Sequence, residues 1–326
     1  MTSSVDTLLS RVQSSGSVLL TGPEGPDGDS LGACLALRRL LAVAAPGVRV
    51  DVAGRVHARY TWMPDADAIV PDDAVGHYDG VVVLDGDRRR LVPSIARAFG
   101  AATWTGIVDH HRSTDPALYD IALFDPEAES TCGMVASVAR AWGVAIDADT
   151  AALLYAGLLF DTGGFRYSNT RPSSLRLAAD LVETGIDHAR IALRVLMERR
   201  PQAARLMGRL LTDAAFGEEG RLAFAGVSRD LLRSLDATDA DLEGVVDALQ
   251  QVVGVEVAVV LVERGNDRVK LSLRSAGRVD VAALARGLHP NGGGHAKAAG
   301  VVLECGLEAA VGIVEARVGD AVRALP

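Results

Sequence analysis

The chain has 326 residues, enough for about two domains with their own cores, and carries a formal net charge of −9. This charge argues against a protein that tracks long nucleic acid through a broad basic surface, but it does not exclude short anionic substrates. Although 49% of the residues are hydrophobic, no run approaches the roughly 20 apolar residues that a membrane span needs.

The N-terminus, MTSSVDTLLSRVQSSG, lacks the basic-then-apolar order of a secretory signal. The three cysteines, Cys34, Cys132 and Cys305, are an odd number without paired spacing. Together these features predict reduced thiols and a cytoplasmic protein.

The first half of the chain alternates apolar, strand-like runs with helical runs such as LGACLALRRLLAVAA (31–45). Continuously apolar runs rich in Val and Ile are typical of strands buried on both faces of a parallel sheet. Four runs fit: SVLLTG (17–22), VRVDVAG (48–54), GVVVLDG (80–86) and WTGIVDHH (104–111). From about residue 131 the pattern is helical, with Ser130 or Thr131 as the N-cap of the first helix.

A second set of strand-like runs begins after about residue 215 and predicts a smaller, mixed α/β domain: RLAFAGVS (221–228), VEVAVVLVE (255–263), RVKLSLRSA (268–276) and GVVLEC (300–305). The charged stretch MERRPQAAR between the two sets contains a helix-breaking proline. We therefore predict a parallel-sheet domain over 1–190, a linker helix over 191–215 and the second domain over 216–326. A cleft between the two domains completes the predicted architecture.

Acidic and histidine side chains follow several of the predicted strands, where open α/β sheets bind ligands. Asp161 closes the apolar helix AALLYAGLLFD, and the others stand at strand ends: Asp27, Asp29, Asp85, Asp109, His110 and His111. Each has an ordinary structural alternative, because an Asp after a strand is most often a helix N-cap or a turn residue. Gathered at one sheet edge, however, these carboxylates would repel each other, and divalent metals resolve that repulsion. Aspartate and imidazole ligands suit Mn²⁺ or a similar ion.

Five motifs in this order resemble the DHH phosphoesterase superfamily, in the branch that carries a DHH-associated C-terminal domain. They are GPDGDSLGACLAL, VVLDGD, VDHH, LLFDTGGFRYSNT and NGGGHAKAAG. The resemblance covers essentially the whole chain. This branch of the superfamily includes nanoRNase/PAP phosphatases and cyclic-dinucleotide phosphodiesterases.

The resemblance implies two metal ions, with Asp27 on the first, Asp29 on the second and Asp85 bridging both. His110 and Asp161 would complete the second site. Asp109 would orient an imidazole, and His111 would face the phosphate and stabilise its charge or protonate the leaving oxygen. Mn²⁺ is the expected ion, with Co²⁺ or Mg²⁺ as alternatives.

The glycine-rich NGGGHAKAAG (291–300) is either a flexible loop or an anion site. Consecutive glycines let backbone N–H groups approach an anion, and we expect a following helix N-terminus to add its dipole. His295, Lys297 and Arg274 favour the anion site. The resemblance implies that Gly293, Gly294 and His295 contact the phosphate or terminal nucleotide and that Arg274 pairs with it.

The predicted function is metal-dependent hydrolysis of short nucleotidic substrates: oligoribonucleotides of a few residues, linear dinucleotides or 3′-phosphoadenosine 5′-phosphate. A family II-like inorganic pyrophosphatase is the rival enzyme. A nucleotide-binding regulator with reduced or lost hydrolysis is the rival from another class, because Pro23 stands where the family's first motif has a metal-ligand His. Glu24, His57 or His77 could substitute for that ligand. The oligomeric state stays open, a homodimer included.

Overall fold

The computed structural model describes residues 2–265 and 267–325. The chain divides into two compact units between Glu198 and Arg199, a point inside the predicted linker 191–215. Within the described residues, all three cysteines are free thiols, and no helix has both the length and the apolar composition of a membrane-crossing segment.

A parallel sheet in the order β2-β1-β3-β4-β5 organises the described part of the N-terminal unit. Its strands are β1 (Ser17–Thr21), β2 (Arg49–Ala53), β3 (Gly80–Leu84), β4 (Trp104–Asp109) and β5 (Ile121–Phe124). Its helices are α1 (Thr2–Gln13), α2 (Gly28–Ala44), α3 (Pro93–Ala101), α4 (Thr131–Trp142), α5 (Ala148–Asp161), α6 (Pro172–Glu183) and α7 (His188–Ala192), the last continued by a π-helical turn, Leu193–Met197.

Both faces of this sheet are buried, which explains why its strands are apolar at successive positions. Leu20 packs with α2, α4 and α5 in one core, whereas Leu19 packs with α3 through Ile95 and Phe99 in another. The predicted parallel sheet is confirmed. The four-residue β5 was not predicted, because so short a run carries little periodicity.

A mixed sheet in the order β10-β11-β9-β8-β7-β6 organises the described part of the C-terminal unit. Its strands are β6 (Ala215–Gly217), β7 (Leu222–Val227), β8 (Val257–Gly265), β9 (Arg268–Ser275), β10 (Gly293–His295) and β11 (Ala298–Leu303), of which only β7 and β8 pair in parallel. Its helices are α8 (Pro201–Thr212), α9 (Arg229–Ser234), α10 (Val245–Gln250), α11 (Val281–Leu288), α12 (Leu307–Ile313) and α13 (Gly319–Arg323), with a π-helical turn at Val314–Val318.

The helices cover the two faces of this second sheet unequally. Leu271 and Leu273 of β9 face a core that includes α11 and α12, and the opposite face of β8 packs on α8 and α10. On that opposite face Lys270 is exposed and Arg274 is half-buried. The predicted mixed α/β domain is confirmed, and the cleft between the domains stays a prediction.

Candidate metal centre and substrate-binding face

The carboxyl ends of β1, β3 and β4 lie side by side, because β3 pairs in parallel with both of its neighbours. Side chains that follow these strands therefore meet at one edge of the sheet. Ligand atoms of one group lie within 4.8 Å of one another: Asp29, Asp85, His110 and Asp161. A second, overlapping group consists of Asp85, His110 and His111. The first group contains the four residues assigned from the sequence to the second metal.

His110 is held with one ring nitrogen directed into this cluster. Its Nδ1 lies 3.1 Å from the carbonyl oxygen of Ala128, which fixes Nδ1 as the protonated nitrogen when the ring is neutral. Its Nε2 lies 3.0 Å from Asp161 Oδ2 and 3.7 Å from Asp85 Oδ1. This Nε2 is buried, and among the described residues it has no hydrogen-bond partner of good geometry. A backbone-anchored imidazole with a buried, unsatisfied nitrogen is the usual arrangement of a metal-ligating histidine.

Asp29 lies in the first turn of α2 but is oriented by another helix. Its carboxylate accepts hydrogen bonds from the backbone N–H groups of Thr131 and Cys132, at 2.6 and 2.9 Å, at the start of α4. Gly157 of α5 gives it room, since a Cβ there would lie 2.5 Å from Asp29 Oδ1. Three helices thus fix one fully buried carboxylate.

Asp85 has a backbone conformation that is uncommon for a residue with a side chain. Its φ is +62°, in the left-handed region that Asp and Asn tolerate better than most residues. Its carboxylate is almost fully buried and accepts a hydrogen bond of 3.0 Å from the Thr131 hydroxyl. The turn and this bond direct Asp85 toward His110 and His111.

Asp109 lies at the end of β4 and serves the histidine pair rather than the four-residue group. One oxygen accepts from His110 N and from His111 Nδ1, at 2.9 and 2.7 Å, and the other accepts from the Thr114 hydroxyl. Burial opposes ionisation, but these bonds, above all the one from His111, lower the pKa of Asp109. The hydrogen bond to Asp109 also raises the pKa of His111. The structure thus pairs an ionised carboxylate with an oriented imidazole.

The remaining carboxylates of the cluster are held in an unfavourable electrostatic environment. Burial and then the charges of its carboxylate neighbours raise the pKa of Asp29 to about 7, and the same causes hold that of Asp85 well above its usual range. For His110, burial disfavours the charged ring, but the carboxylates, Asp161 first among them, raise its pKa to about 10. The cluster needs positive charge, which a protonated His110 or a bound cation can supply.

Asp27 faces the same edge but is bound within its own helix. Its Oδ1 accepts from Asp29 N and Ser30 N at 3.0 and 3.1 Å, so it is the N-cap of α2. Burial and then the charges of Asp85 and Asp161 raise its pKa to about 8, so Asp27 interacts electrostatically with the cluster. Neither group of potential metal ligands found among the described residues includes Asp27.

Pro23 is buried, and its ring packs against Gly86, where a Cβ would lie 3.2 Å from Pro23 Cγ. It lines a cavity of about 430 Å³ together with Cys34 and Arg55. Glu24, His57 and His77 are exposed, and within the described residues none belongs to a group of potential metal ligands. The ligand that proline cannot supply therefore has no evident replacement among these three.

A divalent cation fits the four-residue group by its donor set. Three carboxylates and one imidazole nitrogen are the ligand types that Mn²⁺ and similar ions accept, and the orphaned Nε2 of His110 gains a partner when a cation binds. The part of the cluster around Asp27 offers fewer donor atoms to a cation.

In the C-terminal unit, register brings two predicted substrate residues onto one row of the sheet. His295 of β10 pairs with Ala298 of β11, which in turn pairs with Arg274 of β9. Directly opposed residues project from the same face, so these two basic residues share one face, with backbone positions two strand spacings, about 10 Å, apart. We call this row, with Gly293 and Gly294 at its edge, the basic edge face.

A helix N-terminus was expected to follow the glycines, and this prediction is wrong. The residues after Gly292 form β10 and then β11, because Gly294 allows a close strand approach; a Cβ there would lie 2.4 Å from the Ala298 carbonyl oxygen. Gly293 has open space beside it. An anion here would meet an exposed edge strand and basic side chains.

Three residues that the sequence analysis did not assign contribute to these sites. Thr131 orients Asp29 and Asp85, Asn169 contacts the Asp161 backbone, and Asp247 of α10 binds Arg274 Nε at 2.7 Å. Asn169 stands within the fourth motif, LLFDTGGFRYSNT, which was a usable signal. Nothing in the local pattern marks Thr131 or Asp247, since both act across tertiary contacts.

Two segments of the chain match the sequence profiles of known families. Residues 17–158 match the DHH family, N-terminal domain, and residues 220–320 match the DHHA1 domain. A solved structure of an exopolyphosphatase-related protein from Bacteroides fragilis superposes with a TM-score of 0.90 at 24% identity, covering 99% of this chain and 97% of that chain. At this identity the likeness shows the fold.

Three bacterial relatives are similar in sequence. A bifunctional oligoribonuclease and PAP phosphatase NrnA from Thermus thermophilus is 36% identical over 60% of this chain and 58% of the relative. A probable enzyme of the same name from Streptococcus mutans is 25% identical, and the match covers 90% of this chain and 92% of that relative. The Bacillus subtilis enzyme of that name is 26% identical, with coverages of 84% and 85%. The chain thus spans little more than half of the Thermus relative and most of the other two.

Proposed function

The chain belongs to the DHH family and carries a C-terminal DHHA1 domain, and on this basis we propose that it is a metal-dependent phosphoesterase that hydrolyses short nucleotidic substrates. The observation that carries the proposal is the four-residue group with the unsatisfied, buried Nε2 of His110 at its centre. The names of the relatives favour oligoribonucleotides of a few residues and 3′-phosphoadenosine 5′-phosphate as substrates. Linear dinucleotides belong to the same chemical class.

Each side chain of the centre has a proposed role. Asp29, Asp85, His110 and Asp161 hold one divalent ion, and Asp27 and Asp85 offer fewer donors to a second, more weakly bound one. Such ions would stabilise the negative charge that develops on the phosphoryl group. Mn²⁺ is the ion that we expect, with Co²⁺ or Mg²⁺ as substitutes.

His111 is the proposed general acid. Its Nδ1 is held by Asp109, so the ring is oriented and Nε2 is the atom that donates to the phosphate or the leaving oxygen. Asp109 acts through His111 and His110, to which it is hydrogen-bonded, rather than on the substrate.

The basic edge face is the proposed site for the nucleotide. Arg274 pairs with a phosphate, and Gly293, Gly294 and His295 contact the terminal nucleotide. Asp247 accepts from Arg274 Nε, and the Leu273 carbonyl accepts from Nη1 at 3.2 Å. Nη2 is therefore the nitrogen that the guanidinium offers to a ligand. A binding face of this limited size suits short substrates rather than long nucleic acid.

The direct test is to incubate the purified protein with Mn²⁺ and a panel of short RNAs, linear and cyclic dinucleotides, 3′-phosphoadenosine 5′-phosphate and pyrophosphate. We expect release of mononucleotides or phosphate from the nucleotidic substrates and none after chelation. Turnover of pyrophosphate alone would indicate a family II-like pyrophosphatase instead. Tight nucleotide binding without turnover under any metal condition would indicate a nucleotide-binding regulator, the alternative that Pro23 left open.

A second test separates binding from chemistry. Arg274→Ala and His295→Ala should raise KM for a dinucleotide far more than KM for a small chromogenic phosphodiester, since only the larger substrate reaches the basic edge face. Arg268→Ala, at the other end of β9, is the matched control. Equal losses on both substrates would remove these residues from the nucleotide site.

A further inference from the structure

One amide in the N-terminal unit joins the two chain segments that carry His110 and Asp161. The Nδ2 of Asn169 donates to the carbonyl oxygen of Asp161 at 3.0 Å and to the carbonyl oxygen of Glu129 at 3.1 Å. Asp161 is the last residue of α5, whereas Glu129 lies in the connection between β5 and α4. Asn169 itself follows α5 by eight residues.

The second of these segments orients the imidazole. Ala128, the neighbour of Glu129, supplies the carbonyl that holds His110 Nδ1. Asn169 therefore binds the backbone of Glu129, the residue next to the one that anchors His110, and it also binds the backbone of Asp161. His110 Nε2 and Asp161 Oδ2 are the pair that lie 3.0 Å apart in the cluster.

The orientation of this amide follows from its neighbours. Two carbonyl oxygens face it, and only the NH₂ side can donate to both, so the O and N positions are determined by the contacts. The opposite atom, Oδ1, is buried and has no hydrogen-bond partner among the described residues. A buried acceptor left without a partner is unfavourable and rare in folded proteins. The contribution of this side chain thus lies in its two donors.

We propose that Asn169 is a positioning residue for the metal centre, which sets the distance between His110 and Asp161 by tying their backbone supports together. This inference rests on the proposed function only in requiring that a divalent ion binds the four-residue group. Asn169 touches neither ion nor substrate in this role. Removing its donors lets the end of α5 and the Ala128–Glu129 segment shift independently, and the ligand set then fits the ion less well.

The experiment compares Asn169→Ala and Asn169→Leu with the wild type and with Ser168→Ala, an exposed neighbour in the same segment. Leucine keeps the branching of asparagine at Cγ, although it is larger, and it donates nothing. Three quantities are measured: Mn²⁺ affinity by calorimetry, the absorption spectrum of the Co²⁺-loaded protein, and the melting temperature without metal.

Both Asn169 variants should bind Mn²⁺ about 10- to 100-fold more weakly and show an altered Co²⁺ spectrum. Their metal-free melting temperatures should stay close to that of Ser168→Ala. Unchanged affinity and spectrum would overturn the inference, and so would a weaker affinity explained by a large fall in the metal-free melting temperature of both variants. A wild type that binds no divalent ion would instead contradict the proposed function, so the two failures are distinguishable.

Discussion

Asp29 and Asp27 are two positions apart in sequence, yet the structure uses them differently. Asp29 is held by backbone N–H groups of α4, about a hundred residues further along the chain, whereas Asp27 is held by its own helix as the N-cap. A carboxylate satisfied locally serves helix α2 whether or not metal is present. One positioned by tertiary contacts beside other carboxylates has a strong electrostatic reason to bind a cation. The Asp29 side and the Asp27 side of the cluster should therefore differ in metal affinity.

The largest effect should come from the residue that belongs to both sides. Asp85→Ala removes the carboxylate shared by the two proposed ions, so hydrolysis should fall by about 10³-fold or more. Asp87→Asn is the matched control, because Asp87 is a buried carboxylate nearby that pairs with Arg89 instead of the cluster. Most of the wild-type rate surviving in Asp85→Ala at saturating metal would refute a shared carboxylate.

The difference in metal affinity between the two sides of the cluster is tested by comparing Asp29→Asn with Asp27→Asn. Asp29→Asn should weaken the tighter Mn²⁺ site by on the order of 100-fold, measured by calorimetry. Asp27→Asn should leave that site nearly unchanged and keep the stability within about 0.5 kcal/mol, because Asn is also a good N-cap. Equal losses of affinity in the two variants would mean that the two sides of the cluster are equivalent.

Pro23→His should strengthen the weaker side. Pro23 lines a cavity of about 430 Å³, so a larger side chain has space at this position, and an imidazole there would add a donor four residues before Asp27. We expect the weaker site to tighten roughly tenfold, with a higher rate at low metal. Pro26→His is the control for adding a histidine to the same turn. Two equally tight sites in the wild type would contradict the expectation and point to a substitute ligand.

The smallest effect concerns pH and the metal-free protein. The pKa values of Asp27 and Asp29 are raised to about 8 and 7 from 3.8, so the stability linked to their protons is complete below pH 3.8 and is lost as pH rises toward these values. The free energy of unfolding should fall with pH in that window, because these carboxyls are protonated in the folded state and ionised in the unfolded state. Asp27→Asn should reduce this fall between pH 3.8 and about 8, and saturating Mn²⁺ should flatten the whole dependence. Denaturation at several pH values measures both, and a curve that rises with pH would contradict them.

Much of this centre could be predicted because parallel strands end at one edge. Asp85 and His110 follow adjacent apolar strands, so sequence order and the parallel sheet suffice to bring them together. The N-cap of α4 was left between two residues, and the structure assigns it to Ser130, which frees Thr131 to orient Asp85.

Other features depend on contacts that no local pattern contains. The two hydrogen bonds on Asp29 come from a helix distant in sequence, and the ion pair of Arg274 with Asp247 joins a strand to a helix. The helix expected after the glycine run was wrong, because the run was considered without its partner strand. Gly294 is needed where β10 approaches β11, a reason that becomes visible only when the two strands are paired.

The four residues of the proposed tight site come from four separate parts of the chain: the start of α2, the turn after β3, the end of β4 and the end of α5. A cation bound to all four acts as a cross-link that closes three long loops at once, and the entropy of closure rises with loop length. Unfolding of this unit must then break the chelate or release the ion. Loss of metal should accordingly shorten the lifetime of the folded state against proteases, so the supply of the bound ion would govern how long the protein persists as well as how fast it works.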